Sequence, residues 1–131
     1  MNRPLIYVVD DDPLTAAMVA MTFEDAGFAV QTAMDATEAL PQITELDTQV
    51  SALVTDIQLG DGPNGWAIAT LARTRLPHLP VVYMTGDSAS DWSAFGVPKS
   101  VLIQKPFAGA QVLAAVTSLM NATNGDDHQS Y

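Results

Sequence analysis

The sequence predicts an α/β sandwich: a parallel five-stranded sheet with helices on both faces. Three observations point there. Short apolar, β-branched runs alternate five times with helical stretches, the pattern of a parallel sheet wrapped by its crossovers. Runs such as Leu-Ile-Tyr-Val-Val at 5–9 and Val-Val-Tyr-Met at 81–84 are apolar at successive positions, as strands buried on both faces are. Several runs end in polar groups: Asp10-Asp11-Asp12, Asp56, Thr85 and Lys105. Right-handed crossovers set all C-terminal strand ends on one edge, and ligands bind in the crevice there, where the strand order reverses.

The elements follow in order. The first strand, 5–9, meets Asp12-Pro13, a helix start with Asp as N-cap and Pro at the first helical position. That helix is expected to reach Asp25 and stop at Ala26-Gly27, with Leu14, Ala17, Met18 and Met21 on its inner face. A second strand covers 28–32. Asp35 and Glu38 form a capping pair for a helix over 36–46 that carries Pro41. Ala52 to Thr55 form the third strand. Residues 60–65, Gly-Asp-Gly-Pro-Asn-Gly, are a loop of turn formers before a third helix over 66–75. The fourth strand is 81–85. A weak helix over 89–95 is rich in Ser and Asp. A fifth strand at 101–104 and a helix over 108–120 close the pattern, with Val112, Leu113, Val116 and Leu119 on one stripe. The folded domain is expected to cover 1–121, and 122–131, poor in apolar residues, a flexible tail.

Composition narrows the function. Fifteen acids against five bases give a net charge of −10, a field that repels phosphate backbones, so no direct nucleic-acid contact is expected. No stretch has the length of a membrane span, and the N-terminus lacks the apolar run of a signal peptide. Without cysteine there are no disulfides or thiolate metal sites, in keeping with an expected cytoplasmic location. His78 and His128 have no partner at ligand spacing.

The strand ends carry the chemistry. Crowded carboxylates repel one another, and a divalent cation removes that penalty. Oxygen donors without nearby His or Cys select a hard ion, Mg²⁺ first and Mn²⁺ second. A carboxylate can also act as a nucleophile and form an acyl phosphate. Asp56, alone at its strand end, is the expected nucleophile, with Asp10 and Asp11 holding the metal and Lys105 and Thr85 facing phosphoryl oxygens. Each residue also has a plainer role: Asp12 as a helix cap, Lys105 as a surface lysine, Thr85 as an ordinary strand-end threonine, Trp66 and Trp92 as packing residues.

Taken together these motifs resemble the receiver domain of bacterial two-component response regulators. The match covers about residues 4–120: Val8-Val9-Asp10-Asp11, Asp56 after Leu-Val-Thr, Gly65, Thr85-Gly86 and Lys105-Pro106-Phe107. The resemblance implies a flavodoxin-like (βα)5 three-layer sandwich with strand order 2-1-3-4-5. It implies that Asp10, Asp11, Asp56 and the backbone carbonyl of Gln58 ligate Mg²⁺. Asp56 would take a phosphoryl group from a histidine kinase or histidine phosphotransfer protein. Thr85 would follow that group, Lys105 would contact it, and Lys105-Pro106 would be a cis bond. The chain would be no enzyme beyond Mg-dependent self-phosphorylation and slow autodephosphorylation. At this length it resembles a stand-alone receiver, with output by relay or by protein contact through the face of residues 87–120. Nothing in the sequence sets an oligomeric state.

Three positions depart from the family pattern. Gly60 stands where Pro is usual, and the loop to Gly65 is one residue longer. Leu102 stands where the family often has the aromatic ring that reads phosphorylation. Tyr83, two residues before Thr85, is a candidate to replace it. Two rival readings remain. Asp10-x-Asp12 also resembles the first motif of haloacid-dehalogenase-like phosphatases, with Asp10 as nucleophile, although Leu14 breaks that motif. The other is a receiver-like binding module that is never phosphorylated.

Overall fold

The computed structural model describes residues 3–45, 49–86 and 92–129. Its elements are β1 (Leu5–Val9), α1 (Pro13–Asp25), β2 (Ala29–Ala33), α2 (Ala36–Glu45), β3 (Val50–Asp56), α3 (Gly65–Arg75), β4 (Val81–Thr85), α4 (Trp92–Phe95), β5 (Ser100–Gln104) and α5 (Gly109–Gln129). All strands are parallel, in the order β2-β1-β3-β4-β5, as the sequence pattern and the resemblance imply. The chain moves outward from β1 to β2, then crosses back to β3 on the other side. The switch point therefore lies between the C-terminal ends of β1 and β3, where Asp10 and Asp56 stand.

The sheet separates two cores. Strand alternation sends Tyr7, Val9, Leu53, Val81 and Tyr83 toward α2 and α3, where they meet Ile43, Ile68, Ala69 and Ala72. The opposite positions, Ile6, Val8, Val54, Val82 and Met84, meet Val19 and Phe23 of α1 and Val112 and Val116 of α5. Tyr7 is fully buried, but its hydroxyl donates to the Gln42 side chain, so the polar tip is satisfied.

The caps behave as their residue types require. Asp12 accepts from the Leu14 N–H (3.1 Å) and the Thr15 hydroxyl (2.7 Å). Asp35 accepts from the Glu38 N–H, while Glu38 reaches back to the Met34 N–H. The 89–95 helix is described only as the single turn of α4; residues 87–91 lie outside the described residues. α5 runs to Gln129, past the expected end at Met120, although the packed stripe itself ends with Leu119 and Met120.

One expectation is corrected. The inner face of α1 is Ala16, Val19 and Phe23, not the stripe through Leu14, Ala17 and Met21. Of the expected four, only Met18 packs against the core; Leu14 is 80% and Met21 61% exposed. Both faces of α1 carry apolar side chains at helical spacing, so periodicity alone does not choose between them. Phe23 decides: its large ring enters the core and meets Phe28 edge-on at 5.5 Å. Leu14→Gln should therefore change the unfolding free energy by less than about 0.5 kcal/mol, as exposed substitutions do. A urea midpoint that fell as it does for a core leucine would restore the original face.

Candidate functional site

The acid edge forms as the strand ends dictate. Asp10 follows β1, and its backbone N–H donates to Ala33 O at the end of β2. Asp56 is the last residue of β3. The N–H of Ile57 donates to Met84 O, and that of Lys105 to Thr85 O (2.7 Å), so the ends of β3, β4 and β5 are tied together. These bonds bring residues 10, 56, 85 and 105 into one place. Lys105-Pro106 is a cis bond, as the resemblance implies.

Asp10, Asp11 and Asp56 each present a carboxylate oxygen within 4.8 Å of the others. Asp10 and Asp56 are buried, while Asp11 is exposed on the rim. The Lys105 ammonium spans two of them, 3.1 Å from Asp56 and 3.4 Å from Asp10. Burial pushes the Asp10 carboxyl up to about 6, and the charge of Asp56 adds to this; the Asp12 N–H (2.8 Å) and Lys105 oppose it. Burial pulls the Lys105 ammonium down, but its bond to Asp56 and the two nearby carboxylates outweigh this and leave it raised. One lysine thus leaves the carboxylate crowding only partly compensated. A divalent cation bound by these oxygens would supply the missing charge, and an all-oxygen set suits Mg²⁺.

A cleft of about 730 Å³ opens over these groups. Asp11, Asp56, Thr85 and Lys105 line it, as does Gln58, and its remaining wall is the loop to Asn64 together with Gly86. Thr85 is buried at 1% exposure and reaches the cleft at the end of β4. Asp12, by contrast, is exposed and committed to capping α1. That removes the second acid from the Asp10-x-Asp12 phosphatase reading.

Two residues of the wall stand out: Gly65, singled out in the sequence without a structural reason, and Asn64, which was not. Gly65 opens α3 with its N–H on Ile57 O (2.8 Å), and a Cβ there would stand 2.2 Å from Asp56 O. Asn64 caps α3 by accepting from the Ala67 N–H (3.1 Å) while lining the cleft. The preference of Asn for N-caps was the available signal, hidden in a loop full of turn formers. Gly60, where the resemblance expects Pro, has φ +86°, a conformation closed to proline. The loop therefore takes a path of its own.

Comparison with known proteins settles the family. The model of the response regulator receiver domain matches residues 6–117. The chain belongs to the response regulator receiver domain family. A crystal structure of a response regulator receiver protein from Sinorhizobium medicae superposes with a TM-score of 0.82 at 33% identity, covering 92% of this chain and 97% of that one. The transcriptional regulatory protein PrrA of Mycobacterium leprae is 31% identical over 92% of this chain and 51% of its own length. The nitrogen assimilation regulatory protein NtrX of Azorhizobium caulinodans is 30% identical over 86% of this chain and 25% of its own length. The chain thus spans about half or less of the length of these curated relatives. Receiver domains are signalling modules that take phosphoryl groups from histidine kinases and bind Mg²⁺ at an acidic pocket. This places the chain in two-component phosphorelay signalling, and the phosphatase and non-phosphorylated alternatives are not favoured. No helix among the described residues is long and apolar enough to cross a membrane.

Proposed function

We propose that Asp56 is the phospho-acceptor of this receiver domain and that Asp10, Asp11, Asp56 and the Gln58 carbonyl hold Mg²⁺. The observation that carries this reading is the convergence of Asp10, Asp11, Asp56 and Lys105 at the switch point of the sheet. The bound ion would screen the carboxylates from the incoming phosphoryl oxygens. A carboxylate oxygen of Asp56 attacks the phosphorus of a phosphohistidine or acyl phosphate, and the donor leaves with the bonding electron pair. Lys105, already 3.1 Å from Asp56, pairs with a phosphoryl oxygen, and the Thr85 hydroxyl approaches another across the cleft. Slow hydrolysis of the acyl phosphate resets the domain.

Two surfaces extend the reading to partners. Leu14, Ala17 and Met21 form an exposed apolar stripe on α1, which starts at the acid edge; we assign it to the histidine-bearing phosphodonor. Downstream contact is assigned to the face of residues 87–120, of which 92–120 are described and which presents Phe95 at 58% exposure. The domain boundary is placed at residue 121, with 122–131 a C-terminal extension, and a cytoplasmic location fits this role.

Intact-protein mass after incubation with Mg²⁺ and acetyl phosphate tests the acceptor. One added phosphoryl group is expected, absent in Asp56→Asn and with chelator. A gain that persisted in Asp56→Asn would refute the assignment. Leu14→Glu combined with Met21→Glu should slow transfer from a phosphorylated histidine kinase by about tenfold, ~1.4 kcal/mol in the transition state, and leave acetyl phosphate labelling unchanged. Equal loss with both donors would remove α1 as the donor surface.

A further inference from the structure

We propose that phosphorylation of Asp56 is passed to the surface through the ring of Trp66 at the start of α3, and not through strand β5. The inference rests on the phospho-acceptor reading above and assigns the readout of that same site.

The β5 route lacks its ring. Leu102 is the register partner of Tyr83 across the β4–β5 ladder, and both face the α2–α3 core. The aromatic group has in effect moved one strand inward. Tyr83 is poorly suited to swing: it is fully buried, and its hydroxyl accepts the Val97 N–H at 3.1 Å. Trp66 is differently placed. It is only partly buried, its ring lies 4.6 Å from that of Tyr83, and Phe95 stands 6.3 Å beyond. A groove of about 700 Å³ adjoins it, lined also by Asn64, Leu71 and Phe95, which leaves the indole room for a second position.

The connection to Asp56 is a short backbone contact. Gly65 packs against the Asp56 carbonyl and bonds to Ile57 O, so the first turn of α3 is seated on the acceptor's own backbone. Asn64 is the shared wall: it lines both the phosphoryl cleft and the Trp66 groove. A phosphoryl group added in the cleft pushes on the 58–64 loop. The next rigid point along the chain is Gly65, and the next side chain is Trp66. Tyr83 serves as the fixed wall against which the indole shifts, and the groove beside Phe95 changes shape as it does. Trp66 is a positioning residue here, since it touches neither phosphate nor metal.

The test uses the full chain labelled with 5-fluorotryptophan, which gives two ¹⁹F signals, Trp66 and Trp92, assigned with Trp92→Phe. Mg²⁺ and acetyl phosphate are added, and intact mass is read on the same sample. A phosphoryl gain with a shifted Trp66 resonance and a still Trp92 resonance is expected, and neither change in Asp56→Asn. Coupling is reciprocal, so Trp66→Leu should move the midpoint of beryllofluoride binding by about fivefold or more, whereas Leu102→Val stays within about twofold. Trp66→Phe, which keeps a ring, covers the case in which the leucine variant does not fold. A phosphoryl gain with a still Trp66 resonance overturns the inference alone. So does a shifted resonance with an unchanged midpoint, which makes the indole a spectator. No phosphoryl gain in any sample overturns the acceptor reading and the inference with it.

Discussion

Asp10→Asn is expected to stabilise the metal-free protein while abolishing its response to Mg²⁺. The two effects have one origin. Asp10 is buried beside Asp56, and its carboxyl is raised from 3.8 to about 6. Between those values the folded state holds a proton that the unfolded chain has released. Stability therefore falls as pH rises from about 4 to 6, then stays at the lower level. Lys105 gives the same slope in a higher window: its raised ammonium contributes stability at neutral pH that is lost only as pH climbs past the ordinary lysine range. An asparagine keeps the acceptor for the Asp12 N–H and removes the charge, so a gain of about 1–2 kcal/mol in chelator at pH 7.5 is expected. Native protein should instead gain about 2.7 kcal/mol from Mg²⁺ at a hundred times its dissociation constant, and the variant almost nothing. Urea unfolding with and without Mg²⁺ measures both. A variant destabilised in chelator would show that the Asp10 charge is not strained, and one still stabilised by Mg²⁺ would show that Asp10 is not a ligand.

Gly65→Ala should destabilise the fold by about 1–3 kcal/mol, the usual range for overpacking, and impair phosphorylation as well. The added Cβ meets Asp56 O at 2.2 Å and the Ile57 Cα at 2.9 Å. Both are backbone atoms at the end of the acceptor strand and just after it, so no flexible side chain can yield. Either α3 lifts from the sheet or the end of β3 moves, and each displaces a wall of the cleft. Helix propensity alone favours alanine, by up to ~1 kcal/mol, so the sign of the change separates the two effects. An alanine variant of equal or higher urea midpoint would mean that the close approach does not hold α3 in place.

Much of this was legible because it lies in short stretches. Apolar β-branched runs mark the strands, and Asp12-Pro13 and the Asp35–Glu38 pair mark helix starts through local capping bonds. Asp10, Asp56, Thr85 and Lys105 were legible as strand ends, and parallel topology then brings them together. What escaped the sequence depends on which surface a side chain finally meets. Leu14 and Met21 are as apolar as Val19, and only the docking of Phe23 turns them outward. The Trp66–Tyr83 ring contact joins residues from different elements, so no local pattern announces it. The contact of Gly65 with Asp56 is of the same kind: a glycine in a Gly-rich loop reads as a turn until the third dimension shows what its missing Cβ would strike.

The most direct measurement traps the acyl phosphate where it forms. The protein is incubated with Mg²⁺ and acetyl phosphate, reduced with borohydride, digested and mapped by mass. Reduction of an aspartyl phosphate leaves homoserine at the acceptor position. Homoserine at position 56, with Asp10 unchanged, is the expected result. Homoserine at position 10, with Asp56 intact, would contradict the account and make Asp10 the nucleophile.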